Sequence, residues 1–248
     1  MPQYAPMEIR RSTFLSFHLL AAAFAIITYI FNTFTLNNLY YKRKTTPKSN
    51  TLILALSWHF VFSIMALIHC TYMSFYLLDV VKEYPHFMFW SGNLTYSTEI
   101  TIGICNLFVA IDRLSAMCWP VQYHQTHNSG LRNFALVVTI VVCVLFEAAF
   151  AINRSLEAPE NALAFIELIN INVVQVLHWF DAIVSIANVM ITLVFLYELY
   201  KFIAKTRSHS TEHCENTAKV NDLVYAQLLA EVFVISIPIL VTSIYNFV

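Results

Sequence analysis

The stretch SNTLILALSWHFVFSIMALIHCTYMSFYLL, residues 49–78, runs for thirty positions without an Asp, Glu, Lys or Arg. A helix needs about 20 such residues to cross the roughly 30 Å hydrocarbon core of a bilayer. The stretch lacks the alternation of a membrane barrel strand, so it predicts a transmembrane helix. Working outward, residues 12–41 are equally free of charge. Residues 88–111, 132–152, 171–200 and 223–247 are also apolar, each enclosing an acid within its run: Glu99, Glu147, Asp181 and Glu231. The expected fold is an all-α, polytopic membrane bundle of six spans, forming one domain over residues 1–248.

Composition agrees. Of 248 residues 58% are hydrophobic and only 12% carry charge, against about 45–50% and 25% in soluble domains. Mean hydropathy is +0.63. A net charge of −1 argues against a nucleic-acid partner, which would select a basic chain. A disordered chain is excluded by the hydrophobic content.

Lys and Arg set the expected orientation, because cytoplasmic loops retain positive charge. One side receives Lys42, Arg43, Lys44, Lys48, Arg113, Arg132, Lys201, Lys205, Arg207 and Lys219; the other receives Arg10, Arg11, Lys82 and Arg154. The expectation is an N-terminus outside. Arg10 and Arg11 followed by Ala23-Phe24-Ala25 resemble a signal peptide, but the apolar run continues to Tyr41, which favours an uncleaved anchor. No outer loop carries a cysteine pair, so no structural disulfide is expected. Two acceptor triplets, at Asn93 and Asn153, fall on the outer side, each close to a helix end.

Two spans carry polar stripes. In the third, Thr95, Glu99, Asn106 and Arg113 follow at spacings of 4, 7 and 7, which places them on one helix face. In the fifth, His178, Asp181, Ser185, Asn188 and Thr192 follow at 3, 4, 3 and 4. Ser185, Asn188 and Thr192 read first as interhelical hydrogen bonds. An intramembrane acid is a functional candidate by default, so Thr95, Glu99, His178 and Asp181 are the candidate ligand contacts. A buried, hydrogen-bonded carboxyl is the structural alternative for Glu99. His59 and His69 read as core histidines. No nucleophile motif, phosphate loop or zinc signature occurs, so neither catalysis nor a metal or other cofactor is expected.

The most specific segment is Ala110-Ile111-Asp112-Arg113-Leu114-Ser115-Ala116-Met117-Cys118-Trp119-Pro120-Val121-Gln122-Tyr123. It resembles the Asp-Arg-Tyr segment of rhodopsin-like G-protein-coupled receptors, with Pro120 seven residues after Arg113 and Tyr123 three further on. Leu114 replaces the Tyr of the triplet. The aromatic-rich, Gly-poor helices further resemble the nematode serpentine chemoreceptors, the class BC group and its relatives. The resemblance implies that Arg113 holds the resting state through Asp112 and reaches a heterotrimeric G protein on activation. It also implies that Pro120 and Tyr123 shape the inner loop, and that Pro238 is the hinge of the sixth helix.

Departures from the family pattern narrow the ligand. Met88 stands where the outer disulfide cysteine is usual, and Thr95 where receptors for amines carry Asp. Trp58 follows Leu54-Ala55-Leu56-Ser57 in place of the usual Asp, and Ile235-Ser236-Ile237 precede Pro238. The implied function is a chemosensory receptor in the plasma membrane, including that of sensory cilia. A small environmental molecule would bind in the outer half of the bundle, between spans three, five and six. The alternative is a proton-coupled transporter using Glu99, Glu147, Asp181 and Glu231, against which stand the lack of an inverted repeat and of Gly/Pro-broken helices. The resemblance implies seven helices and the sequence shows six, so a shortened, non-signalling receptor is a further expectation.

Overall fold

The computed structural model describes residues 7–41, 50–82, 84–119, 123, 129–154 and 162–207. They form helices α1 (Met7–Tyr41), α2 (Asn50–Leu77), α3 (Pro85–Cys118), α4 (Ser129–Ile152) and α5 (Ile171–Arg207), with a 3₁₀ turn at Phe165–Leu168. Among the described residues all five helices are long and apolar enough to cross a membrane. The only pairing of strand type among them is an isolated antiparallel bridge between Arg154 and Ile169. Five predicted spans are thus present, with α3 running two turns beyond the predicted end at residue 111. The sixth, 223–247, lies outside the described residues together with Pro238, as does Pro120.

Local chemistry sets the helix ends. Pro85 opens α3, where its missing N–H has no intrahelical partner to lose. At the other end α3 stops at Cys118, two residues before Pro120, whose ring disfavours helical backbone in the residue before it. The end of α2 closes in a Schellman-type turn. The Val80 N–H donates to Phe75 O and the Asp79 N–H to Tyr76 O, both at 3.0 Å, and Asp79 takes the left-handed φ of 60°. Arg11, from α1, finishes this cap. Its Nε donates to Leu77 O at 2.7 Å, and its Nη2 to Tyr76 O and to the Asp79 carboxylate. The guanidinium therefore fills the carbonyl orbitals that a helix C-terminus leaves open.

The helices divide into two compact units. The first contains the chain up to Ile102 and Leu136–Val176. Within it α1 packs along α2, with Tyr29 stacked on Phe60 at 5.1 Å and His18 set edge-on to His69 at 5.8 Å. The opposite side of α1 exposes Phe17, Leu20, Phe24, Ile27, Phe31 and Phe34, at spacings of three and four residues. Such a stripe suits hydrocarbon, which rewards apolar side chains and tolerates no unpaired backbone.

The second unit contains Gly103–Ala135 and the chain from Leu177 on. Here α5 meets α3: Asn188 Nδ2 donates to Gly103 O at 3.2 Å, and Ser185 and Thr192 are buried. Gly103 allows this approach, since a Cβ there would lie 3.3 Å from Val184 Cγ1. Further along, Phe195 and Leu199 are buried against Leu114, Met117 and Leu196. Of the three, Asn188 makes the interhelical hydrogen bond, and Ser185 and Thr192 are buried.

Candidate functional site

In the first unit a polar seam joins α3 to α4. Asn93, Ser97 and Thr101, one turn apart, are wholly buried. Asn93 Nδ2 donates to Glu147 O at 3.2 Å, Ser97 donates to Asn93 Oδ1 at 3.2 Å, and Thr101 donates to Ser97 O at 2.8 Å. Cys143 approaches Glu147 Oε1 at 3.9 Å. Small hydroxyl and amide side chains let two backbones come close while satisfying each other in an apolar medium. Because Asn93 is wholly enclosed, it cannot accept a glycan.

The connection after α4 folds back onto this unit. Phe165 is 1% exposed and lies stacked on Tyr96 at 5.1 Å, near Phe89 at 5.7 Å and edge-on to Phe150 at 5.6 Å. Its ring occupies the notch left by Gly92. Polar ties hold the connection in place. Glu167 accepts from Arg10 Nη2 and from the Leu163 N–H, both at 2.8 Å. Asn170 N donates to Asn153 O at 3.1 Å, and Arg154 lies 4.8 Å above the Phe89 ring. Met88, at the usual disulfide position, is buried, and these contacts fasten the connection without sulfur.

The four candidate ligand contacts fall in different surroundings. Thr95 and Glu99 belong to the first unit. Thr95 is buried and its hydroxyl donates to Ser91 O at 2.8 Å, while Glu99, one turn on, is exposed. His178 and Asp181 belong to the second unit, both half-buried on α5. Among the described residues no ion pair joins them. The third-span stripe is therefore less uniform than its spacing implies, since the most enclosed polar line of α3 here is Asn93-Ser97-Thr101.

At the far end of α3, in the second unit, Asp112 is 1% exposed and accepts a hydrogen bond from Tyr123 OH at 3.2 Å. Arg113 beside it is half-buried, and among the described residues it makes no ion pair with Asp112. A buried carboxylate needs partners to offset its lost hydration. One such partner is Tyr123, eleven residues on, whose hydroxyl ties that position back to the helix.

The sequence reading missed His18. It lies nine residues into α1 from Ile9, about 14 Å along the axis, and His69 lies eight residues before the end of α2, about 12 Å. Their depths match because the two helices run antiparallel. His69 Nδ1 is hydrogen-bonded to Ser91 Oγ at 2.9 Å, while among the described residues His18 Nε2 is buried without a partner. A lone His on an otherwise apolar helix was the available signal, and only the α1–α2 register shows which residue it meets.

Five membrane-length helices among the described residues make this a polytopic helical membrane protein. The family model of the serpentine type 7TM GPCR chemoreceptor Srbc matches residues 11–248, and the chain belongs to that family. This agrees with the resemblance of the aromatic-rich, Gly-poor helices to the class BC chemoreceptors. No curated protein and no solved structure gave a match.

Proposed function

We propose that this chemoreceptor binds a small molecule from outside the cell and passes the signal to a heterotrimeric G protein. In this reading the end of the first unit that carries Arg10 and Arg11 faces outward, and the plasma membrane is the site of action. Thr95 and Glu99 are ligand contacts of the first unit, and His178 and Asp181 are candidate contacts of the second. The observation that carries the proposal is the Tyr123–Asp112 hydrogen bond on a buried carboxylate next to Arg113. It ties Tyr123, beyond the end of α3, to the helix that bears Asp112 and Arg113. Ligand binding shifts the population toward a state in which this tie opens and Arg113 is presented.

The test is nucleotide exchange on a G protein, measured for the full chain in lipid against a panel of volatile and water-soluble small molecules. Arg113→Ala is expected to abolish stimulated exchange while surface expression persists. Undiminished exchange in that variant would remove Arg113 from the mechanism. Uptake driven by a pH gradient would instead favour the transporter reading of Glu99, Glu147, Asp181 and Glu231.

A further inference from the structure

We propose that the connection between α2 and α3 is a lipid-binding surface, whose Val80 and Val81 side chains insert at the boundary between the headgroups and acyl chains of a phospholipid leaflet. The contrast between backbone and side chains carries this. The N–H groups of Val80 and Val81 both donate to Phe75 O inside the turn, at 3.0 and 3.4 Å. Their side chains are nevertheless 67% and 40% exposed, and Leu78 beside them is exposed as well. One exposed apolar residue is ordinary on a protein surface. Here the apolar side chains are gathered on a turn whose valine N–H groups already have partners. Backbone paired in this way can enter a less polar medium without the loss that an unpaired group would suffer.

Position supplies the partner. The apolar span of α2 ends at Leu77 and that of α3 begins at Pro85, so the connection joins two points at the edge of the hydrocarbon. The hydrogen bond to Phe75 O keeps Val80 against the last turn of α2. Tyr84, Phe87 and Trp90 follow, all exposed, and rings with a polar tip favour the headgroup level of a bilayer. Trp90 stands five residues beyond Pro85, about 8 Å along α3. Headgroups occupy a layer of about 5–8 Å on each side of the bilayer, so this aromatic set spans one such layer. The charges of the segment, Asp79, Lys82 and Glu83, flank the two valines without separating them. Arg11 pairs with Asp79, and the exposed Lys82 has a stem long enough to bring its ammonium to a phosphate. An apolar tip with a cation and aromatic rings around it is complementary to a phospholipid, and this favours lipid over a second copy of the chain.

The contact depends neither on G-protein coupling nor on which face of the bilayer is outward. The experiment uses the full chain in phosphatidylcholine nanodiscs, one copy to a disc, carrying Cys118→Ser and Cys214→Ser. A nitroxide label is attached at Val80→Cys, Val81→Cys or Lys82→Cys, one at a time, with Phe17→Cys on the exposed stripe of α1 as the deep reference. Electron paramagnetic resonance then compares collisions with oxygen, which concentrates in lipid, and with a nickel chelate, which stays in water. At positions 80 and 81 oxygen is expected to outweigh the chelate, at a depth of about 5–10 Å into the headgroup and acyl boundary. Position 82 should lie shallower than both, and position 17 deeper. Dominance of the chelate at 80 and 81 would overturn the proposal by making the connection a solvated loop. Protection from both reagents would also overturn it, by showing that protein covers the valines. The unsubstituted chain gives an independent reading with phosphatidylcholine that carries a photoreactive diazirine close to its ester carbonyls. Adducts on Val80 or Val81 are expected in the peptide mass spectrum; adducts on α1 with none on either valine would refute the contact.

Discussion

The chain has only three glycines, and their surroundings predict three different answers to the same substitution. A Cβ added at Gly92 would lie 2.5 Å from Phe165 Cδ2 and Cγ and 2.7 Å from its Cβ. Phe165 cannot yield cheaply, because Phe89, Tyr96 and Phe150 hold it on its other sides. Overpacking of this kind costs about 1–3 kcal/mol. If Phe165 instead leaves its nest, the loss approaches the ~3–5 kcal/mol of a buried Phe cut to Ala. At roughly 2–4 °C per kcal/mol for a chain of this size, Gly92→Ala should lower the melting temperature by about 2–12 °C. Gly103→Ala meets only Val184 Cγ1 at 3.3 Å, and Gly130→Ala meets nothing within 4 Å. The first should shift melting little; the second should gain up to ~1 kcal/mol from helix propensity. Thermal unfolding in nanodiscs, followed by tryptophan fluorescence, measures all three. In a Phe165→Ala background the Gly92→Ala penalty should disappear, since contacting residues do not act additively. Equal melting of the Gly92→Ala and Gly130→Ala variants would refute the packing of the connection against α3.

Arg11→Ala removes the cap from the end of α2 and should cost about 1 kcal/mol. That figure is discounted because Asp79 is largely exposed and its ion pair is screened, and Arg11→Lys should recover only part of it for want of a planar fork. Asp79→Gly relieves a left-handed backbone, worth on the order of 0.5–1 kcal/mol, which exceeds the loss of the screened Arg11 pair and should raise the melting temperature; a fall in an Arg11→Ala background, where that pair is already gone, would contradict the turn. Glu99→Gln and Asp181→Asn keep shape and remove charge, and at least one should shift ligand potency in the exchange assay about tenfold, or 1.4 kcal/mol. Unchanged potency in both would make these acids structural. Untreated Asn93→Gln should run with the electrophoretic mobility of the untreated wild type and be less stable, because the buried amide bonds to Glu147 O; faster migration of the variant would show a glycan on Asn93.

Spans were legible because a bilayer imposes one demand on every residue of a crossing segment. Residues 49–78 show this in composition alone, and α2 occupies Asn50–Leu77. Facing was legible only where polarity and spacing coincide, as for Ser185, Asn188 and Thr192, of which Asn188 reaches Gly103 O. The stripe of Thr95, Glu99, Asn106 and Arg113 misled in part because spacing fixes a common face but not the neighbour it meets. One neighbour of α3 in the first unit is α4, which Asn93 reaches through Glu147 O, and Asn93, Ser97 and Thr101 are enclosed while Glu99 is exposed. A reading that gives weight to charge overlooks hydroxyls, although in hydrocarbon the hydroxyls of a seam permit closer approach than an acid does. His18 and Phe165 were illegible for a further reason. Each takes its meaning from a residue distant in sequence, His69 for one and Gly92 for the other. Gly92 carried a usable trace: a glycine inside an apolar helix costs about 1 kcal/mol against Ala unless something else needs the space. Here the ring of Phe165 fills it.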